Sequence, residues 1–271
     1  MQNLKMFCIC IHNELLSKVK KINYIPVGLG DDNFDQEWVR DNTGNNISKK
    51  NKFYGEYTFH YWLWKNKLKE INEKEWVGFC AYRRFWLNQQ NIDDRIINFQ
   101  DKILTQIPKA WDNYEVILGD KIFVSNIKFS KIIKYGKFAL LKNPRAILKK
   151  NRNIKFHFDM FHGNGLLDQA INVLNENDRE DFREFVNKYN YFNKGNMFIC
   201  RSKNLMIKYY ETIFDWLDRC EKIFGFNLNG YGKVRIYGFL AERFLSFWFK
   251  KYTKYLEWPI IFNDLRKEIL N

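Results

Sequence analysis

The sequence predicts an α/β fold, a mixed central sheet flanked by helices with a helical C-terminal part. Three observations carry that expectation. Short apolar runs at residues 5–11, 76–82 and 114–118 have the length of buried strands. Segments with apolar residues at helical spacing lie between and after them, and such alternation stacks helices on a sheet. A chain of 271 residues is long for one core and short for two complete ones, so residues 1–271 read as a single domain.

Residues 5–11 open the fold as a strand on which Cys8 and Cys10 alternate with Phe7, Ile9 and Ile11, the pattern of small buried thiols. His12 and Asn13 then start a loop, as at the opening of a nucleotide-binding α/β domain, although no glycine-rich dinucleotide fingerprint follows. Residues 25–51 are rich in Gly, Asp and Asn, with Pro26, Gly28, Gly30 and Gly44 as breakers, and read as an irregular, substrate-handling segment. Residues 53–68 are expected to be a helix capped by Ser48 or Asn51, with Glu56 in the first turn, where the helix dipole stabilises a carboxylate. Residues 76–82 supply a central strand, 92–107 a helix and 114–118 another strand.

Residues 128–152 are basic and weakly periodic, an insertion or a membrane-facing surface. Residues 166–174 look helical. Asp178 is placed to cap a further helix through Tyr189, with Phe182, Phe185 and Val186 on its apolar side, and 196–200 follow as a short buried strand. Ser202 is positioned to cap a long helix ending near Gly225, in which Leu205, Tyr209, Ile213, Trp216, Leu217 and Cys220 recur at helical spacing. In the last helix, 235–250, Glu242 and Arg243 interrupt an otherwise apolar pattern.

The formal charge of +14 favours anionic partners: nucleic acid, acidic lipid headgroups or phosphorylated small molecules. Five cysteines, an odd number without paired zinc spacing, fit a reducing compartment. The first residues lack the pattern of a signal peptide, and no apolar run approaches the ~20 residues of a membrane-spanning helix. A cytoplasmic location is therefore expected, with any contact with the inner face of the membrane peripheral.

The densest chemical signal is Tyr82-Arg83-Arg84, where an apolar strand ends in two adjacent guanidinium groups. Arginine stays charged and offers a planar fork of donors, so such a pair can neutralise a diphosphate where many sugar-nucleotide enzymes use a divalent metal. Arg235 and Arg243 are further candidates. A base for deprotonating an acceptor hydroxyl is supplied either by Asp168, at a glycine-rich loop–helix junction, or by Glu242, whose partial burial would raise its proton affinity. His157, Asp159 and His162 resemble a metal cluster but lack a third well-spaced soft ligand. The strand ending at Tyr82 carries no Asp-x-Asp; Asp31-Asp32 and Asp93-Asp94 lie in loop or helix-start contexts. No cofactor is expected to be required, with Mg2+ or Mn2+ as the alternative. Signatures of hydrolases and P-loop kinases are missing.

Six segments occur in order: Ile25-Pro26-Val27-Gly28-Leu29-Gly30, Asp41 through Ser48, Tyr61 through Asn66, Val77-Gly78 through Tyr82-Arg83-Arg84, Asn196-Met197-Phe198-Ile199 and Gly238-Phe239-Leu240-Ala241-Glu242-Arg243. Together they resemble a bacterial capsule and exopolysaccharide glycosyltransferase family long catalogued only as a domain of unknown function. The resemblance runs from the first strand to near Asn263. It implies a GT-A-like nucleotide-sugar domain that transfers a sugar, with UDP as the first choice of nucleotide and galactofuranose in some members, to a capsular or lipooligosaccharide acceptor. In that reading Arg83 and Arg84, beside Tyr82, hold the diphosphate. His12, Asn13 and Gly28 border the nucleotide, Asn45, Asn46 and Glu56 shape the sugar pocket, and Asp168 or Glu242 activates the acceptor. This chain departs from the family at Ala81, where a His commonly precedes Tyr-Arg-Arg, and at Gly165-Leu166-Leu167, which replace an acidic stretch before Asp168. The partners implied are a nucleotide sugar, a glycan or lipid-linked glycan and the anionic inner membrane, without nucleic acid. The alternatives are a basic nucleic-acid-binding module and a lectin-like glycan binder.

Overall fold

The computed structural model describes residues 3–30, 32–73, 75–90, 98–268 and 270. Its strands are β1 (Leu4–Cys10), β2 (Ile25–Gly28), β3 (Val39–Arg40), β4 (Trp76–Ala81), β5 (Arg84–Trp86), β6 (Val116–Gly119), β7 (Lys121–Phe123), β8 (Tyr191–Asn193), β9 (Phe198–Cys200), β10 (Tyr255–Trp258) and β11 (Ile260–Phe262). Among the described residues nine of them form one sheet in the order β10-β6-β9-β4-β1-β2-β3, with β5 joined to β4 and to β11. β1 runs parallel to β2 and β4, whereas β9 lies antiparallel between β4 and β6. The expected α/β class with a mixed sheet is the class observed.

Period-two alternation builds two cores on this sheet. Phe7, Ile9, Val77 and Phe79 face the helices Tyr57–Asn66, Lys203–Phe224 and Ile236–Tyr252, while Met6, Cys8, Cys10, Trp76 and Cys80 face the opposite side with Trp86 and Trp111. All five cysteines are free and buried. The chain leaves β1 towards β2 and β3, then returns to the other side of β1 as β4. That reversal opens a crevice at the carboxyl ends of β1 and β4, the place where open α/β sheets bind ligands.

Several local expectations need correction. Residues 25–51 are not wholly irregular, since pairing with β1 draws Pro26 and Gly28 into a strand despite their poor β-propensity. The helix expected over 53–68 is split into Asn51–Tyr54 and Tyr57–Asn66 at Gly55, whose φ of +58° ends the first piece. Residues 91–97 lie outside the described residues, so the first part of the 92–107 expectation, and Asp93-Asp94 with it, falls there, as does Asp31. The remainder forms only Phe99–Lys102, after which Ile103 bridges to Leu87. The helix Glu176–Lys188 is capped by Asn175, whose side chain accepts from the Asp178 amide. The Asp178 carboxylate instead accepts from Lys251 and Tyr252, because Asn175 occupies the position from which a side chain reaches the free amides. Ser202 does cap Lys203–Phe224, accepting from the Leu205 amide at 3.2 Å.

Candidate active site

A cleft of about 400 Å³ opens at the carboxyl ends of β1, β2 and β4, floored by Ile9, Leu29 and Ala81. β4 ends at Ala81, turns through Tyr82 and Arg83 and returns as β5, whose first residue Arg84 pairs with Ala81 and with Phe262 of β11. This tight return sets both guanidinium groups at the mouth, where the two arginines are exposed. Arg83 lies over the Tyr82 ring at 4.8 Å. No carboxylate among the described residues stands within ion-pair distance of Arg83 or Arg84.

The opposite wall is built by the break at Gly55. A Cβ there would collide with the Arg235 guanidinium, so glycine is what lets Arg235 lie across the turn, 3.5 Å from Glu56. Arg235, Gly238, Phe239 and Glu242 follow at i, i+3, i+4 and i+7 on the helix Ile236–Tyr252 and its N-cap, and that spacing aligns them on one stripe facing the cleft. Asn196 also lines it; its side-chain amide reaches the Gly238 carbonyl at 3.3 Å, and its oxygen is buried without a hydrogen-bond partner among the described residues.

Glu242 is held at both oxygens. The Gly195 amide donates to one at 3.0 Å and Arg243 to the other at 2.5 Å. Burial pushes its pKa above the usual carboxylate range, against the opposing pull of Arg243 and Arg84. Arg243 itself is buried beneath the cleft. Its second terminal nitrogen donates to His157 Nδ1 at 3.3 Å and His162 Nε2 at 3.2 Å. Those ring nitrogens must accept, which leaves His162 Nδ1 protonated to donate to the Gly232 carbonyl at 3.1 Å. Burial, and then the adjacent Arg243 charge, hold both imidazoles neutral, with pKa values lowered to about 3 for His157 and about 2 for His162. The His157, Asp159 and His162 group is thus occupied otherwise: the imidazoles receive Arg243, and Asp159 accepts from Lys155 and the Gly165 amide. Among the described residues no three His, Cys, Asp or Glu side chains group as metal ligands.

Beyond Glu242 lies a second cavity of about 740 Å³ that shares Tyr231, Phe239 and Glu242 with the first. Tyr135, Phe161 and Phe192 give it aromatic walls, and Lys233 stands at its edge. Glu242 therefore stands between two chambers, one rich in arginine and one aromatic.

Of the residues singled out in the sequence, Glu56, Tyr82, Arg83, Arg84, Arg235 and Glu242 line the first cleft, and Arg243 lies under it. Five others border it or support loops. His12 meets the Tyr82 ring edge-on at 5.3 Å. Asn13 accepts from the Asp35 amide and the Trp38 indole, clamping the 32–38 loop. Gly28 makes room for the Phe34 ring, next to the lining residue Leu29. Asn45 and Asn46 tie down the loop before Ser48 through Asn66 and Ser48. Asp168 lies outside both cavities and accepts from Lys155 at 2.6 Å. Sequence reasoning did not assign Asn196 or Tyr231 to the site. Their signals were the residue leading into β9 and an aromatic set between Gly230 and Gly232.

The crevice at the sheet's carboxyl edge, lined with arginines and a partly buried carboxylate, belongs to an α/β protein with a mixed sheet flanked by helices. The chain belongs to the family described as "Domain of unknown function (DUF4422)", whose profile matches residues 6–254. Among solved structures the chain is similar to one described as "WbbM bifunctional glycosytransferase apo structure", at 19% identity and a TM-score of 0.64. That similarity covers 96% of this chain and 45% of the other, so the chain spans less than half the length of that protein. No curated protein matches the chain.

Proposed function

We propose that the chain is a GT-A-like glycosyltransferase that moves a sugar from a nucleoside diphosphate, UDP as the first choice, to a surface glycan acceptor. One observation carries this reading: an arginine pair without carboxylate partners among the described residues shares a cleft, at the carboxyl edge of parallel strands, with the partly buried carboxylate of Glu242. Arg83, Arg84 and Arg235 would take the charge that develops on the departing diphosphate, the role electrostatic preorganisation plays in group transfer. Glu242 would accept the proton of an acceptor hydroxyl presented from the aromatic chamber. That oxygen bonds to the anomeric carbon as the carbon–phosphate oxygen bond breaks, and the electron pair leaves with the diphosphate.

Glu242 is preferred over Asp168 as the base because it borders both chambers, whereas Asp168 is engaged by Lys155. Two fixed donors keep its carboxylate aimed. Three guanidinium groups supply the positive charge that a divalent ion supplies elsewhere, so activity is expected to survive chelation. The likeness to a glycosyltransferase fold and the reduced, buried thiols support a cytoplasmic enzyme of this class.

The test is thermal shift against a nucleotide panel, followed by UDP release from several UDP-sugars with and without glycan acceptors. The proposal requires selective stabilisation by UDP that Arg83→Ala or Arg84→Ala removes while the variants stay folded. Glycan binding indifferent to UDP would favour a lectin, and salt-sensitive binding to long polyanions without turnover a nucleic-acid module.

A further inference from the structure

We propose that residues 128–150 form a docking face for an anionic lipid bilayer. The segment folds as two short helices, Phe129–Tyr135 and Lys137–Lys142, followed by helical turns. One side is anchored: Ile132, Ala139 and Ala146 are buried against Phe156 and Met160 of the helix Ile154–His162. The base is clamped by Arg152, whose buried guanidinium donates to the carbonyls of Ser125, Ile127, Ala146 and Ile147. The other side is apolar and unpartnered among the described residues, with Phe138 76% and Leu141 78% exposed and Phe129, Ile133, Ile147 and Leu148 about half exposed.

Charge identifies the occupant. All eight Lys and Arg residues of 128–150 are exposed, and no Asp or Glu occurs anywhere from 121 to 158. An exposed set of aliphatic and aromatic side chains ringed by cations fits a surface whose interior is hydrocarbon and whose headgroups are anionic. A nucleic acid would use the cations and leave Leu141 and Phe138 in water. A second copy of this chain would have to bring the same positive charge against itself.

The same hairpin carries Tyr135, which lines the aromatic chamber beside Glu242. A bilayer docked here lies next to the acceptor chamber, the arrangement that suits a glycan carried on a lipid. That last point rests on the transferase reading; the docking does not.

The experiment is co-sedimentation of the full chain with vesicles of phosphatidylcholine alone and of phosphatidylcholine mixed with phosphatidylglycerol. We expect binding to the anionic vesicles about tenfold or more above that to neutral ones, falling as salt rises. Phe138→Ser combined with Leu141→Ser should abolish it with the melting temperature unchanged, and Lys131→Gln, Lys134→Gln and Lys137→Gln together should remove the preference for anionic lipid. Absence of binding, equal binding to both vesicle types, or binding unaltered in both variants would overturn the proposal. So would a dimer that the serine variant turns into monomers, or capture of RNA in place of vesicles through these residues. UDP-induced thermal shift, read on the same variants, is expected to be unaltered, so failure of docking and failure of the transferase reading are separately visible.

Discussion

At the scale of single residues, the site depends on side chains whose usual partners have been withheld or redirected. Glu242 is aimed by the Gly195 amide and Arg243, and burial raises its proton affinity. A base works deprotonated, so turnover should fall with decreasing pH at a point above the ordinary carboxylate range; a pH profile of kcat reads this directly. We predict that Glu242→Gln lowers kcat by about 10²–10⁴-fold, the usual contribution of a positioned base, while UDP still stabilises the protein. A variant with near-normal turnover would remove Glu242 from the mechanism. Gly55 offers a second check. Its backbone is unfavourable for any other residue, and a side chain there collides with Arg235. Gly55→Ala is expected to cost about 1–3 kcal/mol in urea unfolding and to weaken UDP binding as Arg235 is displaced.

At the scale of elements, one helix does most of the positioning. Ile236–Tyr252 brings Gly238, Phe239 and Glu242 to the cleft, with Arg235 at its N-cap, and turns Arg243 downward towards the two imidazoles. Its place is set by packing against Lys203–Phe224, a helix whose start depends on Ser202. Ser202→Ala and Asn175→Ala should each destabilise the protein by about 1 kcal/mol, seen as a lower urea midpoint at constant slope. Asp178→Ala tests the reassignment of the second cap: it should act through Lys251 and Tyr252, and the loss should largely vanish when it is made in a Lys251→Ala, Tyr252→Phe background.

At the scale of the whole molecule, three imidazoles, His60 and His162 buried and His157 half-buried, make stability depend on acidity. Burial lowers His60 and His157 to about 3 and His162 to about 2, against an ordinary value of 6.5. Between pH 6.5 and about 3 the unfolded chain therefore binds protons that the folded chain refuses. Stability is complete above that window and falls as pH drops through it, by up to about 1.4 kcal/mol per pH unit for each histidine. Urea unfolding from pH 7.5 down to pH 5 should show a steep decline, and a flat profile would mean that these rings titrate normally. The excess of positive charge adds repulsion in the same direction.

What the sequence determined by itself were features written in local periodicity and local chemistry. Short apolar runs marked β1 and β4, helical spacing and Ser202 marked the long helix, and two arginines at the end of β4 marked the cleft's mouth. Tertiary structure decided the rest because the forces involved act between residues remote in the chain. Pairing with β1 made a strand of Ile25–Gly28, and strands of three or four residues such as β5, β9 and β11 are too short to show a period of their own. The same distance separated Asp168 from Glu242 as candidates. Both are carboxylates near helix starts or within helices, and only the fold placed one against Lys155 and the other between two cavities. His157 and His162, which the sequence showed to lack a third well-spaced metal ligand, hold a buried guanidinium between them, a pairing only packing could decide because a buried cation needs acceptors wherever the chain supplies them.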